Sequence, residues 1–230
     1  GSLILDNAGY ESTGKYQGTM YVSFSQLARL NDTLSASITK DIGHHGDGHG
    51  SKQYAINYAV PDGNRMYRLS TYQYSYHQLV FMPEAFRSSG NTRGIEFSVE
   101  QVLNRTSRSK TAAVAKVIHK TRHSYIDDIE IGVQEQHTTA LELGLSHRQY
   151  SGNTMSDIYL FYRQGIRGLG ATVRSWEGVA DNPTTLYKMA GLEGEVQSGV
   201  RIGHKQGVYT MRFRSQFTNQ RLFGTDQFSI

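Results

Sequence analysis

Apolar and polar residues alternate with period two along most of the chain, and turn residues separate the alternating segments. In Gln17–Ser25 (QGTMYVSFS), Met20, Val22 and Phe24 fall on one face and the polar side chains fall on the other. Successive side chains of a strand point to opposite faces of its sheet. The pattern therefore predicts strands with one apolar and one polar face. The same alternation recurs at residues 33–39, 53–60, 139–148 and 208–217.

The number and length of these segments favour strands that cross a membrane. About eleven strands are predicted, many of roughly 9 to 11 residues or more, which is what a tilted strand needs to span a bilayer. Soluble sandwich strands are usually nearer five or six residues. Short connections are predicted at 31–32, 61–64, 106–109, 151–154 and 204–207. Long polar ones alternate with them at 10–15, 42–52, 82–91, 127–137 and 172–184. Tight periplasmic turns and long extracellular loops alternate in this way in transmembrane barrels. The predicted fold is an all-β, antiparallel transmembrane β-barrel.

The polar face of these strands carries charges of both signs, as expected of a water-filled lumen. The predicted lumen-facing residues are Arg68, Glu96, Glu100, Glu142, Arg148, Glu193, Glu195, Arg212 and Arg214. The residues predicted to face lipid are Met20, Val22, Phe24, Ile56, Leu141, Leu143, Met211 and Phe213. Alternation alone also fits a soluble antiparallel sheet whose polar face meets bulk water. That alternative stays open at this point.

Composition removes several other classes of protein. Among the 230 residues no stretch approaches the roughly 20 apolar residues that a spanning helix requires. The 24 Gly, 15 Tyr and 9 Phe against 3 Pro suit strands joined by turns. The net charge of +4 is scattered along the chain without a basic block, so nucleic-acid binding is not indicated. Residues 1–9 do not resemble a signal peptide, so either an export signal has been removed or the chain starts inside a longer protein.

Two tracts contain side chains of the types that bind metal ions, and both are better explained as loop residues. Asp127, Asp128 and Glu130 resemble the start of a calcium loop, but the glycine and distal glutamate of an EF-hand are misplaced. Glycines surround a second tract, which makes a flexible polar loop the better interpretation. Its candidate ligands are His44, His45, Asp47 and His49. The prediction is no metal and no cofactor.

Motifs for enzyme chemistry are missing from the sequence. There is no Gly-x-Ser-x-Gly, no phosphate-binding glycine loop and no His-Glu-x-x-His, and the GIRGLG run at 165–170 precedes no helix. No catalytic or cofactor-binding residue is therefore assigned. A passive porin or a barrel enzyme remains the alternative function, because some outer-membrane barrels are hydrolases or acyl transferases.

Six stretches make the chain recognisable as part of a known family. They are LDNAGYESTGKYQG (5–18), LARLNDTLSASITKD (27–41), YAVPDGNRMYRLSTYQYSYHQ (58–78), YIDDIEIGVQEQ (125–136), ALELGLSHRQY (140–150) and YRQGIRGLGA (162–171). In this order they resemble the ShlB/FhaC/HecB haemolysin secretion/activation family, the TpsB outer-membrane transporters of two-partner secretion. The resemblance implies a pore in the bacterial outer membrane that secretes, and in some members activates, a large TpsA-type exoprotein such as a haemolysin, adhesin or contact-dependent toxin. Its other expected contact is outer-membrane lipid.

The resemblance also implies that residues 1–230 are one part of a barrel of about sixteen strands. They would cover the first to the eleventh strand and the start of the sixth extracellular loop, at 223–230. Two periplasmic POTRA domains, an N-terminal helix and the final strands would lie outside this chain. The family's Arg-Gly-Phe/Tyr motif would follow Ile230, so no gating residue is assigned. Eleven strands leave two open edges, which would not be stable alone at membrane depth.

Overall fold

The computed structural model describes residues 1–7, 9, 12–28, 30–43, 48–82, 84–171, 185–203, 205–220 and 222. Strands make up nearly all of the regular structure in these ranges, with one 3₁₀ turn at Gly132–Gln134. In the same ranges no helix is long and apolar enough to span a membrane. His44, His45, Asp47 and the predicted loop start at 223–230 lie outside the described residues, as does the predicted loop 172–184.

Twelve strands form the described sheet, and eleven of them follow one another in chain order. The path runs β1-β2-β3-β4-β5-β6-β7-β9-β10-β11-β12, with β8 paired to β7. The eleven strands of this path confirm the predicted number, and the all-β antiparallel fold is confirmed. The strands are β1 Ser2–Asp6, β2 Gln17–Ser25, β3 Thr33–Asp41, β4 His49–Asp62, β5 Arg65–Met82, β6 Glu84–Arg105, β7 Ser109–Ile126, β8 Ile129–Glu130, β9 Gln136–Ser151, β10 Thr154–Gly165, β11 Lys188–Ile202 and β12 Lys205–Phe217.

Several connections differ from the prediction. The predicted loop 82–91 is wrong, because β5 ends at Met82 and β6 begins at Glu84. These strands have 18 and 22 residues, more than the 9 to 11 that cross a bilayer. The ends of such long strands extend beyond the bilayer and can be polar on both faces. A segment without an apolar face resembles a loop in the sequence, which explains the error. In the predicted loop 127–137, β8 and the 3₁₀ turn supply regular structure. The last short turn lies at Gly203, ahead of 204–207, because Ile202 pairs with Lys205.

The chain divides into two compact units, which are described separately. Unit 1 comprises residues 1–61, 67–97 and 118–138, and unit 2 comprises 62–66, 98–117 and 139–230. In unit 1 the registers of β2, β3 and β4 align Val22 with Ala36 and Ile56 on one face. Two rows on the opposite face are polar throughout. They are Ser23, Ser35 and Asn57, and Thr19, Thr39 and Gln53.

A buried carboxylate organises the turn between β2 and β3. The side chain of Asp32 is fully buried and accepts hydrogen bonds from the backbone N–H of Ala28 at 3.1 Å and of Leu30 at 3.3 Å. Burial opposes ionisation of this carboxyl, but the hydrogen bonds from Ala28, the Tyr58 hydroxyl and Leu30 outweigh burial and lower its pKa. Asp32 therefore holds a turn in which Asn31 adopts a positive φ of 53°.

Candidate functional site

The registers of β9 to β12 in unit 2 bring the predicted charged residues onto one face. Directly paired residues of antiparallel strands share a face of the sheet. Glu142 pairs with Arg163 and Arg148 with Asp157 across β9 and β10. Six of the nine predicted lumen-facing residues therefore lie on this surface, which we call the charged face: Glu142, Arg148, Glu193, Glu195, Arg212 and Arg214.

The other three predicted residues lie on β5 and β6. Glu100 belongs to unit 2 and forms an ion pair with Lys110 of β7 at 2.5 Å between Oε1 and Nζ. Arg68 and Glu96 belong to unit 1, on β5 and β6. That these nine side chains line a lumen stays a prediction.

The opposite face of the same strands is apolar and open. Leu143 is 65% exposed and pairs with Tyr162, and Leu145 pairs with Leu160. On β12, Met211 pairs with Val196 of β11. Large exposed apolar faces are rare on water-soluble proteins and mark surfaces that meet lipid or another apolar partner. This exposed apolar face contradicts the alternative of a soluble sheet in bulk water, which the alternation alone left open.

Glu142 is the centre of the charged face. Its side chain is fully buried, and Arg163 donates to its Oε2 from Nε at 2.7 Å. Its Oε1 receives the Tyr159 hydroxyl at 2.7 Å and lies 2.9 Å from Nζ of Lys116. Two cations and one hydroxyl thus satisfy one carboxylate. The burial of an ionised group this deep is tolerable because every acceptor position is occupied by a strong donor.

Aromatic rings over glycines hold this cluster in place. The ring of Phe161 lies over Gly191, where an added Cβ would meet the ring carbon Cζ at 2.2 Å. Tyr159 covers Gly144 in the same way, with its Cε2 at 2.6 Å from an added Cβ. The two rings are stacked with centroids 5.3 Å apart, and Arg163 lies 5.2 Å from the centroid of Phe161. The glycines therefore make room for rings that position the donors of Glu142.

Lys116, Tyr159 and Arg163 were missed by the sequence analysis. Each lies on the polar side of its own strand, but alternation does not tell which residues of different strands meet. The only available signal was the presence of glycines inside strand segments, since an interior glycine often marks a close approach of another group.

A second group of charges lies farther along the charged face, where exposure is greater. Arg148 donates from Nε to Asp157 Oδ2 at 2.8 Å. Asp157 pairs in register with Glu195, and Glu195 forms an ion pair with Arg212. Two acidic groups, on β10 and β11, thus lie between two basic groups, on β9 and β12. Such an arrangement can keep a surface hydrated without giving it one strong sign of charge.

The residues considered for calcium serve the connection after β7. Asp127 and Asp128 both have positive φ values, 48° and 64°, and Asp127 Oδ1 accepts the backbone N–H of Arg87 at 2.8 Å. These contacts fit a tight turn, in agreement with the loop interpretation.

Comparison with known proteins identifies the family. The haemolysin secretion/activation protein family ShlB/FhaC/HecB matches residues 1–230. The outer membrane transporter CdiB-2 of Burkholderia pseudomallei is 30% identical over 227 residues, which are 98% of this chain and 39% of that protein. The hemolysin transporter protein HpmB of Proteus mirabilis is 20% identical over 233 residues, 100% of this chain and 41% of that protein. The chain thus spans about two fifths of the length of these relatives.

Solved structures share the fold. CdiB from Escherichia coli superposes with a TM-score of 0.88 at 20% identity, over 97% of this chain and 41% of that one. CdiB from Acinetobacter baumannii gives 0.78 at 26% identity, over 98% of this chain and 40% of that one. Spanning strands with an open apolar face, in a family with relatives named outer membrane transporters, locate the chain in the bacterial outer membrane. The chain belongs to the haemolysin secretion/activation protein family ShlB/FhaC/HecB.

Proposed function

We propose that these residues form part of an outer-membrane pore through which the complete protein secretes a large partner exoprotein by two-partner secretion. Support comes from the family match over the whole chain and from relatives named CdiB and hemolysin transporter. The expected partner is a TpsA-type haemolysin, adhesin or contact-dependent toxin. The protein would act as a conduit and catalyse no reaction.

The observation that carries this proposal is that β9 to β12 have an exposed apolar face and a charged face with a buried carboxylate, the reverse of a water-soluble protein. Leu143 is open to its surroundings, whereas the charge of Glu142, the residue before it on β9, is buried among donors. We infer that the apolar face contacts lipid and the charged face lines a wet channel. A wall with charges of both signs would stay hydrated and give an extended apolar passenger nothing to adhere to.

The energy for transport would not come from a nucleotide. The periplasm supplies no ATP, and the sequence contains no phosphate-binding glycine loop. The exoprotein would cross as an extended chain, and its folding outside the cell would draw the equilibrium outward, because folding removes the extended form.

Secretion in the native bacterium tests the proposal. The complete transporter gene is deleted and then restored beside the gene of its large exoprotein, and the exoprotein is measured in the medium and in the periplasm. We expect its appearance in the medium to depend on the transporter. Equal amounts outside the cell with and without the transporter would contradict the assignment. A passive porin would conduct ions but leave export of the exoprotein unchanged.

A further inference from the structure

Two histidines and a glutamate converge in unit 1, where β7 is followed by β8 and the start of β9. His123, Glu135 and His137 each offer a donor atom, and these atoms all lie within 4.8 Å of one another. Their side chains are 32%, 31% and 26% exposed, so solvent ions can reach them. These three residues belong to neither of the two candidate metal tracts described in the sequence analysis.

The local fold explains why residues 12 and 14 positions after His123 return to it. A tight turn at Asp127–Asp128 folds β8 back on β7, so that Tyr125 pairs with Glu130. The backbone N–H of Ile131 then bonds to Ser124 O at 2.8 Å. The 3₁₀ turn at Gly132–Gln134 reverses the chain again. Glu135 and His137 follow it directly, and their position is set by backbone bonds.

A carboxylate outside the trio orients the first histidine. Nδ1 of His123 lies 2.6 Å from Oε1 of Glu130. A proton held on Nδ1 by this bond leaves the lone pair of Nε2 available to a metal. The same carboxylate–histidine arrangement supports the ligands of many protein metal sites, where it fixes the tautomer and raises ligand basicity.

The other two side chains are already in contact. Nε2 of His137 lies 2.9 Å from Oε1 of Glu135. Two ligands bound to one tetrahedral ion at about 2.0–2.2 Å stand roughly 3.3 Å apart, so only small side-chain shifts separate this pair from a coordinating geometry. The His123 ring lies edge-on to the His137 ring, with centroids 5.8 Å apart.

We propose that His123, Glu135 and His137 form a binding site for a divalent transition-metal ion, best suited to zinc. Two imidazoles and one carboxylate match zinc ligation, and calcium or magnesium would prefer oxygen ligands alone. Partial exposure leaves room for water as a fourth ligand. On the predicted topology the connection 127–137 is extracellular, so the ion would come from the medium. The bound ion would fasten β7 to the start of β9.

The test uses the complete transporter with a histidine-free affinity tag, purified in detergent and freed of metal with a chelator. Zinc binding is measured by titration calorimetry, and tetrahedral coordination by the visible absorption of bound cobalt(II). We expect tight zinc binding that is lost in His123→Gln and His137→Gln and weakened in Glu135→Gln. Glu130→Gln should lower the affinity by roughly 10–100-fold, because the carboxylate charge that raises the basicity of His123 is lost.

Two controls make the outcome decisive. His147→Gln removes a histidine of the same strand, β9, whose Nδ1 contacts Thr111 Oγ1, and it should leave zinc binding unchanged. His44→Gln with His45→Gln removes two histidines of the competing tract, in the predicted loop 42–52, and should also leave zinc binding unchanged. Heat-dependent migration on gels verifies that each variant is folded. Unchanged affinity in folded His137→Gln, loss in the loop variant, or no zinc binding by the folded parent protein would each overturn the proposal.

Discussion

Replacement of Glu142 by glutamine isolates the role of the buried charge, because the side chain keeps its size and one acceptor oxygen. In the folded protein the change leaves Arg163 and Lys116 beside a neutral amide, at 14% and 22% exposure. Removal of one partner from a buried ion pair typically costs about 3–5 kcal/mol. Because both cations keep some contact with solvent, we expect a loss near the lower limit, about 3 kcal/mol.

The matched control, Asp157, also lies on the charged face, on the neighbouring strand β10. Asp157→Asn also neutralises one acid of an ion pair, but its partner Arg148 is 47% exposed. Exposed pairs contribute about 0–1 kcal/mol, so this variant should lose at most about 1 kcal/mol. Both variants of the complete transporter are unfolded by urea after reconstitution into lipid vesicles, and folded protein is counted by its heat-dependent migration on gels.

A double-mutant cycle of Glu142 and Arg163 tests the proposed cause. If Glu142→Gln destabilises the protein mainly because Arg163 loses its partner, Arg163→Gln should cost less in the Glu142→Gln background than alone. The expected coupling is about 1–2 kcal/mol, within the usual range for residues of one hydrogen-bonded network. The reasoning is refuted if Glu142→Gln is no more destabilising than Asp157→Asn, or if the two substitutions at 142 and 163 are additive.

Three further predictions concern other parts of the chain. Reversal of Arg212 and Arg214 to Glu should shift channel ion selectivity toward cations in bilayer recordings while secretion stays largely intact; abolished secretion would contradict a wall in which single charges matter little. Gly191→Ala should lower the free energy of unfolding by about 1–3 kcal/mol in urea titrations, because the added Cβ collides with the Phe161 ring. Gly152→Ala is the control for backbone strain alone, because Gly152 has a positive φ and its added Cβ would meet no atom within 4 Å. Asp32→Asn should lower stability at pH 7. Since the folded-state pKa of Asp32 lies below its unfolded value of about 3.9, this difference should shrink as the pH falls through the folded pKa, and a constant difference between pH 7 and pH 2 would contradict it.

The fold was largely predictable from the sequence because alternation reports directly which side chains share a face of a strand. Gln17–Ser25 was predicted with its observed bounds, and the open apolar positions Leu141 and Leu143 were assigned correctly to one face. The error at 82–91 has a physical cause, because a strand that extends past the bilayer no longer needs an apolar face.

The two clusters of side chains were less predictable, because both depend on contacts between strands. Glu142 was recognised as a polar-face residue, but its contacts with Lys116 and Arg163 require the registers, which alternation leaves open. The convergence of His123 and His137 depends on a reversal of the chain at Asp127–Asp128, in a segment interpreted as irregular loop.

The most direct test of the central claim is a measurement of which face of β9 to β12 meets lipid. The 230 residues contain no cysteine, so single spin labels can be introduced at Leu143 and Met211 on the apolar face and at Glu193 and Arg214 on the charged face. In the complete transporter in lipid vesicles, we expect the first pair to be relaxed by oxygen and the second by a water-soluble nickel complex. Mixed accessibility within either pair would contradict a charged lumen enclosed by a lipid-facing wall.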